Sequence, residues 1–215
     1  GAGDDTIIGN SATGVQTLGA LDAVDGGEGT DSLSVTATAD IASISPAGST
    51  IKNVENITLI SNGSVTASSA AATGATKLIA TSGDEFALTA AVTTDVIATS
   101  SDLAGDNASV SGGKDITVTV AKGAVGTLSV GSATTAGVIS VDATYTSANA
   151  TGGAITLAGG TTITATVKTG NASGAGNDHA INTIDVNGGA ATTTVSITQP
   201  AEVTGATGKV GVANG

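Results

Sequence analysis

The chain contains no cysteine, arginine, methionine or tryptophan, and it has one phenylalanine, one tyrosine and two prolines among 215 residues. Without cysteine there is no disulfide, no thiolate metal site and no thiol nucleophile. Six lysines against 18 carboxylates leave a net charge of −12, whereas binding nucleic acid requires a cationic surface that displaces counterions. Nucleic acid is therefore excluded as a partner. The scarcity of aromatic rings also removes the stacking platforms that bases and sugars use. No apolar run approaches the roughly 18 residues of a membrane helix, so no membrane insertion is expected. No signal peptide opens the chain, which begins inside a motif at Gly1, and flanking sequence is expected beyond it.

What is present is small or β-branched: 32 Gly and 38 Ala, with 20 Val and 16 Ile against 9 Leu. Side chains stiff at χ1 suit pleated strands better than helices. Apolar residues also recur at period 2, the pattern of a strand with one dry face. Ile116, Val118 and Val120 alternate with Thr117 and Thr119, and the same alternation returns at Leu128/Val130, Ile139/Val141/Ala143/Tyr145, Ile155/Leu157, Ile163/Ala165/Val167, Ile184/Val186, Val195/Ile197 and Val210/Val212. Glycine pairs such as Gly112-Gly113, Gly152-Gly153, Gly159-Gly160 and Gly188-Gly189 punctuate them. The class is all-β. Two architectures fit, a parallel β-solenoid resembling a β-roll or a β-sandwich of hairpins, and the small side chains favour the narrow solenoid.

Three segments are distinguished. Residues 1–35 carry glycine-rich acidic turns, 36–105 form an irregular β region, and 106–215 hold the regular strand repeats. Within the middle segment, 51–60 reads as two strands or one bent strand with Ile57, Leu59 and Val54 inward, and 68–74 as a loop or single helical turn.

The acidic charge is uneven, with Asp4, Asp5, Asp22, Asp25, Glu28 and Asp31 all inside the first 31 residues. Residues 26–34, Gly-Gly-Glu-Gly-Thr-Asp-Ser-Leu-Ser, satisfy every specified position of the nonapeptide G-G-x-G-x-D-x-U-x, whose turns bind Ca²⁺ in parallel β-rolls. Glycine permits the tight turn, turn carbonyls face the ion, the aspartate supplies charge, and the large apolar residue, Leu33, anchors the next strand. Gly1-Ala2-Gly3-Asp4-Asp5-Thr6-Ile7 matches the same repeat from its second glycine, with Asp5 as ligand and Ile7 as anchor. Nine residues before Asp31 stands Asp22, with Val24 at the apolar position. A weaker copy at 173–180 contains Asp178 beside His179. Calcium takes six to eight oxygens, so turns from neighbouring coils must cooperate. The expected donors are the carboxylates of Asp5, Asp22 and Asp31 and carbonyls near Gly1, Gly3, Gly27 and Gly29, with Asp25 or Glu28 completing the set and Asp178 belonging to the weaker copy.

Enzymatic readings find little support. His179 is the single histidine, and no G-x-S-x-G elbow accompanies it. The S-x-x-K strings at 49–52 and 111–114 fall before a strand and in a glycine turn. Carboxylate pairs such as Asp84/Glu85 lack the aromatics of a sugar cleft. No catalytic residue is assigned.

On these turns, on Lys52-Asn53-Val54-Glu55-Asn56-Ile57, and on the strings 110–115 and 186–195, the chain resembles the RTX-type bacterial surface-layer and β-strand-repeat proteins. The resemblance implies an extracellular or cell-surface location, export by a type I pathway, folding on meeting Ca²⁺, and self-assembly into a lattice or fibre. It also admits a cell-surface polysaccharide as partner. An adhesin stalk is the alternative, and a fragment of an RTX hydrolase a third reading.

Overall fold

A computed structural model describes residues 1–10, 22–45, 49–103, 107–123, 126–145, 151–169, 180–181, 183–199 and 210–214. The strands form a nine-stranded sheet in the order Thr6–Asn10, Ser32–Ala37, Asn56–Ser61, Lys77–Ser82, Asp95–Ser100, Ile116–Gly123, Val138–Tyr145, Thr162–Thr169 and Thr194–Thr198. A seven-stranded sheet contains Val65–Ser68, Phe86–Ala90, Ala108–Gly112, Leu128–Gly131, Ile155–Ala158, Ile184–Gly188 and Val210–Asn214. A short third sheet is made by Ala23–Asp25, Thr50–Lys52 and Ala72–Thr73, and Thr151–Gly152 pairs with Ala180–Ile181. Every strand pairing is parallel. Strands from the two large sheets alternate along the chain, so the chain winds as a parallel β-solenoid. The sandwich alternative, which needs antiparallel hairpins, is set aside.

Parallel pairing in register places each residue on its counterpart one coil later, about 4.8 Å away. One inward column of the long sheet therefore runs Leu33, Ile57, Leu78, Val96, Ile116, Ile139, Ile163, every member buried. A second runs Val35, Leu59, Ala80, Ala98, Val118, Val141, Ala165. The facing sheet contributes Ala67, Leu88, Val110, Val130, Leu157, Val186. The period-2 alternation of the sequence is the cause: along each strand, alternate members point into the stack and the members between them point out. Val54, Ile57 and Leu59 are inward. A single 3₁₀ turn occupies Ser69–Ala71, capped by the Ser68 hydroxyl, which accepts from the Ala70 N–H at 3.3 Å.

A third inward column, Ala37, Ser61, Ser82, Ser100, Val120, Ala143, Val167, brings hydroxyls into the core. Each serine is satisfied by a corner carbonyl: Ser61 Oγ donates to Ala39 O at 2.6 Å, and Ser82 and Ser100 donate to Asp84 O at 2.8 and 2.6 Å. Buried hydroxyls thus tie corners to strands without an unpaired dipole.

Beyond the serines, Tyr145 is buried and its hydroxyl has no hydrogen-bond partner among the described residues. Burial pushes its pKa up from 10.0 to about 12. The folded value lies above the unfolded one, so this stabilisation is complete below pH 10 and is lost as pH rises toward 12. Between those limits the chain is expected to lose on the order of 2 kcal/mol through this group. In urea unfolding at pH 8, 10 and 11.5, Tyr145→Phe should remove that part of the alkaline loss while leaving neutral-pH stability equal or higher.

Candidate functional site: the stacked amino-terminal turns

Glycine-rich segments 1–5 and 26–31 lie one coil apart, and the strands that follow them pair Ile7 with Leu33. Ala2 and Glu28 form a parallel bridge. Gly3 N–H donates to Glu28 O at 2.7 Å, Glu28 N–H to Gly1 O at 3.1 Å, and Ser32 N–H to Asp5 O at 2.9 Å. Gly3, Gly27 and Gly29 have φ of 120°, 100° and 128°, in the region that favours glycine. A Cβ on Gly27 would collide with Gly1 O, and one on Gly29 would crowd the Gly3 carbonyl. The repeat needs glycine here for backbone shape and for coil-to-coil approach.

Asp31 ends the second turn and is wholly buried. Its Oδ1 accepts the Asp5 N–H at 2.7 Å, reaching back to the preceding coil. Its Oδ2 is buried and has no hydrogen-bond partner among the described residues. Among the described residues no cationic side chain pairs with it. A buried carboxylate with one oxygen uncompensated costs several kcal/mol unless a counter-ion or further donors meet it. This is the feature of the turn that suits a cation.

The other acidic residues are arranged differently. The Asp5 carboxylate is half exposed and pairs with the Gly1 amino group at 3.2 Å, while that amine donates to Gly26 O at 2.8 Å. Asp4 Oδ1 accepts the Thr30 N–H at 2.8 Å. Asp25 closes the strand Ala23–Asp25, and its Oδ1 accepts from Asn53 Nδ2 at 2.8 Å. Glu28 is exposed and joins the stack through its backbone. Asp22 stands just before Ala23–Asp25, where its carbonyl accepts the Thr50 N–H at 2.9 Å, so its backbone joins the third sheet. Asp178 and His179 lie outside the described residues. Among the described residues no three acidic or histidine side chains converge on one point. A cation at these turns would therefore rest on Asp31 and main-chain oxygens, as an oxygen-preferring ion such as Ca²⁺ permits.

Two site residues come from the next coil. Glu55 Oε2 accepts the Asp31 N–H at 2.7 Å, and Asp31 O accepts the N–H groups of Glu55 and Asn56 at 3.1 and 3.0 Å. Asn53, with φ of 50°, is the one positive-φ non-glycine among the described residues. Its carbonyl oxygen lies beside Gly26, where an added Cβ would strike both that oxygen and Asp31 Oδ2. The stack thus has three turns, and the third bears no nonapeptide. Charged corners elsewhere are simpler: Asp40 and Asp115 accept the N–H groups of Ser64 and Val138 at 2.9 and 2.8 Å. The Val138 N–H, aided by the neighbouring Lys114, holds the Asp115 carboxyl below its usual range.

No protein-family model matches the chain, and no curated protein is significantly similar to it in sequence. Among the described residues no helix is long and apolar enough to cross a membrane. The fold is compatible with a β-roll repeat.

Gly26→Ala should cost about 1–3 kcal/mol through overpacking against the Asn53 carbonyl and Asp31. Gly3→Ala, whose Cβ meets nothing within 4 Å, should cost only about 1 kcal/mol, from its positive φ. Urea midpoints of the two variants measured side by side check the order.

Proposed function

We propose that this chain is a structural segment of an RTX-type extracellular protein, a parallel β-solenoid that folds on binding Ca²⁺ and assembles into a bacterial surface layer or matrix fibre. The observation that carries the reading is the uncompensated, wholly buried carboxylate of Asp31 at the junction of glycine-rich turns. Residues of these turns, with Asp31 at the centre, would hold the ion. Its charge would compensate the buried carboxylate, and its need for many oxygens would draw neighbouring turns together.

Because only the folded chain gathers these oxygens, the binding free energy adds to folding stability. Extracellular Ca²⁺ modules bind at roughly 10⁻⁴–10⁻³ M. Such a site stays empty at cytosolic calcium and fills outside the cell, which fits export of an unfolded chain. Assembly would use strand edges or solenoid ends. The same stack of coils also suits the adhesin-stalk reading, in which the solenoid serves as a spacer.

Titrating Ca²⁺ into the purified chain, followed by far-UV circular dichroism and light scattering, tests the proposal. β-Structure should appear or gain stability at millimolar calcium and be lost with chelator, and scattering should rise with it. Calcium-dependent folding without a rise in scattering selects the stalk. A fold and stability indifferent to chelator would reject the calcium staple.

A further inference from the structure

The nonapeptide rule would place the ion between the two glycine-rich turns, yet the open oxygen of Asp31 faces elsewhere. Its Oδ1 is engaged by the Asp5 N–H of the first coil. Oδ2 lies against Gly26, on the side where the Asn53 carbonyl oxygen of the third coil also stands, since one Cβ added to Gly26 would strike both. Glu55 occupies, one coil on, the role that Asp31 has toward Asp5: a carboxylate reaching back to accept the N–H of the preceding acid, at 2.7 Å in each case. At the other charged corners the direction is reversed. Asp4, Asp40 and Asp115 accept N–H groups of the following coil. Asp5, Asp31 and Glu55 are thus one column of backward-reaching acids.

We propose that the cation held by Asp31 is shared with the third turn, with Glu55 as its second carboxylate and the Asn53 main-chain oxygen as a neutral donor. This rests on the calcium reading above and extends it to a turn without a glycine repeat. Asp5, whose carboxylate is half exposed and whose N–H is what Asp31 Oδ1 accepts, is then no ligand. Two adjacent carboxylates, one fully buried, give a divalent ion the charge it needs, and main-chain oxygens complete a hard-cation set. The staple would therefore fasten the second coil to the third.

Calcium affinity of the full chain, measured by isothermal titration calorimetry with Tb³⁺ luminescence as a second probe, decides the matter for Asp5→Asn, Asp31→Asn, Glu55→Gln and Glu55→Asp. The expected pattern is wild-type affinity within about threefold for Asp5→Asn, tenfold or greater weakening for Glu55→Gln, and no measurable binding for Asp31→Asn. Glu55→Asp keeps the charge but draws it back by one methylene. It should weaken binding while its circular dichroism at saturating calcium matches wild type, which separates loss of a ligand from misfolding. If Glu55→Gln and Glu55→Asp bind as wild type while Asp5→Asn is crippled, the ion sits between the first two turns and this inference falls with the calcium reading intact. If Asp31→Asn binds as wild type, or the wild-type chain binds nothing, the calcium reading fails and takes the inference with it.

Discussion

In-register parallel stacking governs this molecule. When each residue lies about 4.8 Å from its counterpart in the next coil, like side chains form columns, and a column tolerates only residues that pack against themselves. Branched aliphatics meet that condition, as Leu33 through Ile163 show. The second long-sheet column mixes larger Val and Leu with Ala at 80, 98 and 165, which keeps the cross-section thin. A chain so poor in aromatic residues fills such an interior because a narrow solenoid never requires large ones.

The same rule makes charge awkward. Acids stacked in register would repel one another by about 1–4 kcal/mol per close pair, so each must find another partner. At outer corners a backbone N–H from the next coil serves, as Val138 does for Asp115 and Ser64 for Asp40. There a glycine precedes the donor, since a Cβ on Gly63 or Gly137 would collide with the carboxylate. Lys114 adds ion pairs to Asp95 and Asp115 at 3.5 and 3.4 Å. Asp84 and Asp95 also have a buried oxygen without a hydrogen bond, the latter beside Lys114, but Asp31 is wholly buried and answered on one oxygen only. The amino-terminal stack is thus the place where a wholly buried carboxylate keeps one oxygen without a hydrogen bond among the described residues.

Much of this was legible in the sequence. The strands from Ile116 onward show clean alternation, and their apolar members enter the columns where burial is described, with Val195 and Ile197 less covered near the last coil. The equivalence of Ile7 with Leu33, expected from the motif, is the pairing observed. The middle strands were harder to read. In Lys77–Ser82 and Asp95–Ser100 an isoleucine points outward, at 79 and 97, while Ser82 and Ser100 point inward. Both inversions blur the period on which strand recognition depends. The nine-residue step that drew Asp22 into register with Asp31 is not the structural period, since here successive turns stand 26 and 24 residues apart. Glu55 had no local signal, because its turn has Asn53 where the repeat has glycine; only the hydrogen bond to the Asp31 N–H exposes the equivalence.

Coil length explains why a staple would matter at this end and less in the middle. Linked positions 18 and 19 residues apart at Ser101–Gly83 and Thr94–Ala75 leave little chain between strands, and buried hydroxyls bind those corners to the core. Closing each coil there costs little entropy and is met by local hydrogen bonds. The first coils are longer, and their turns at 1–5 and 26–31 are rich in glycine, which loses the most conformational freedom on ordering. Nothing apolar in the 26–31 turn offsets that cost. On the calcium reading, an ion bound at Asp31 supplies the missing term where backbone entropy is greatest, and Leu33 and Ile57 then extend the order along the hydrophobic columns. A solenoid in which each repeat contacts only its neighbours transmits such a local gain coil by coil, so one cation at the start of the stack would influence how readily the following coils form.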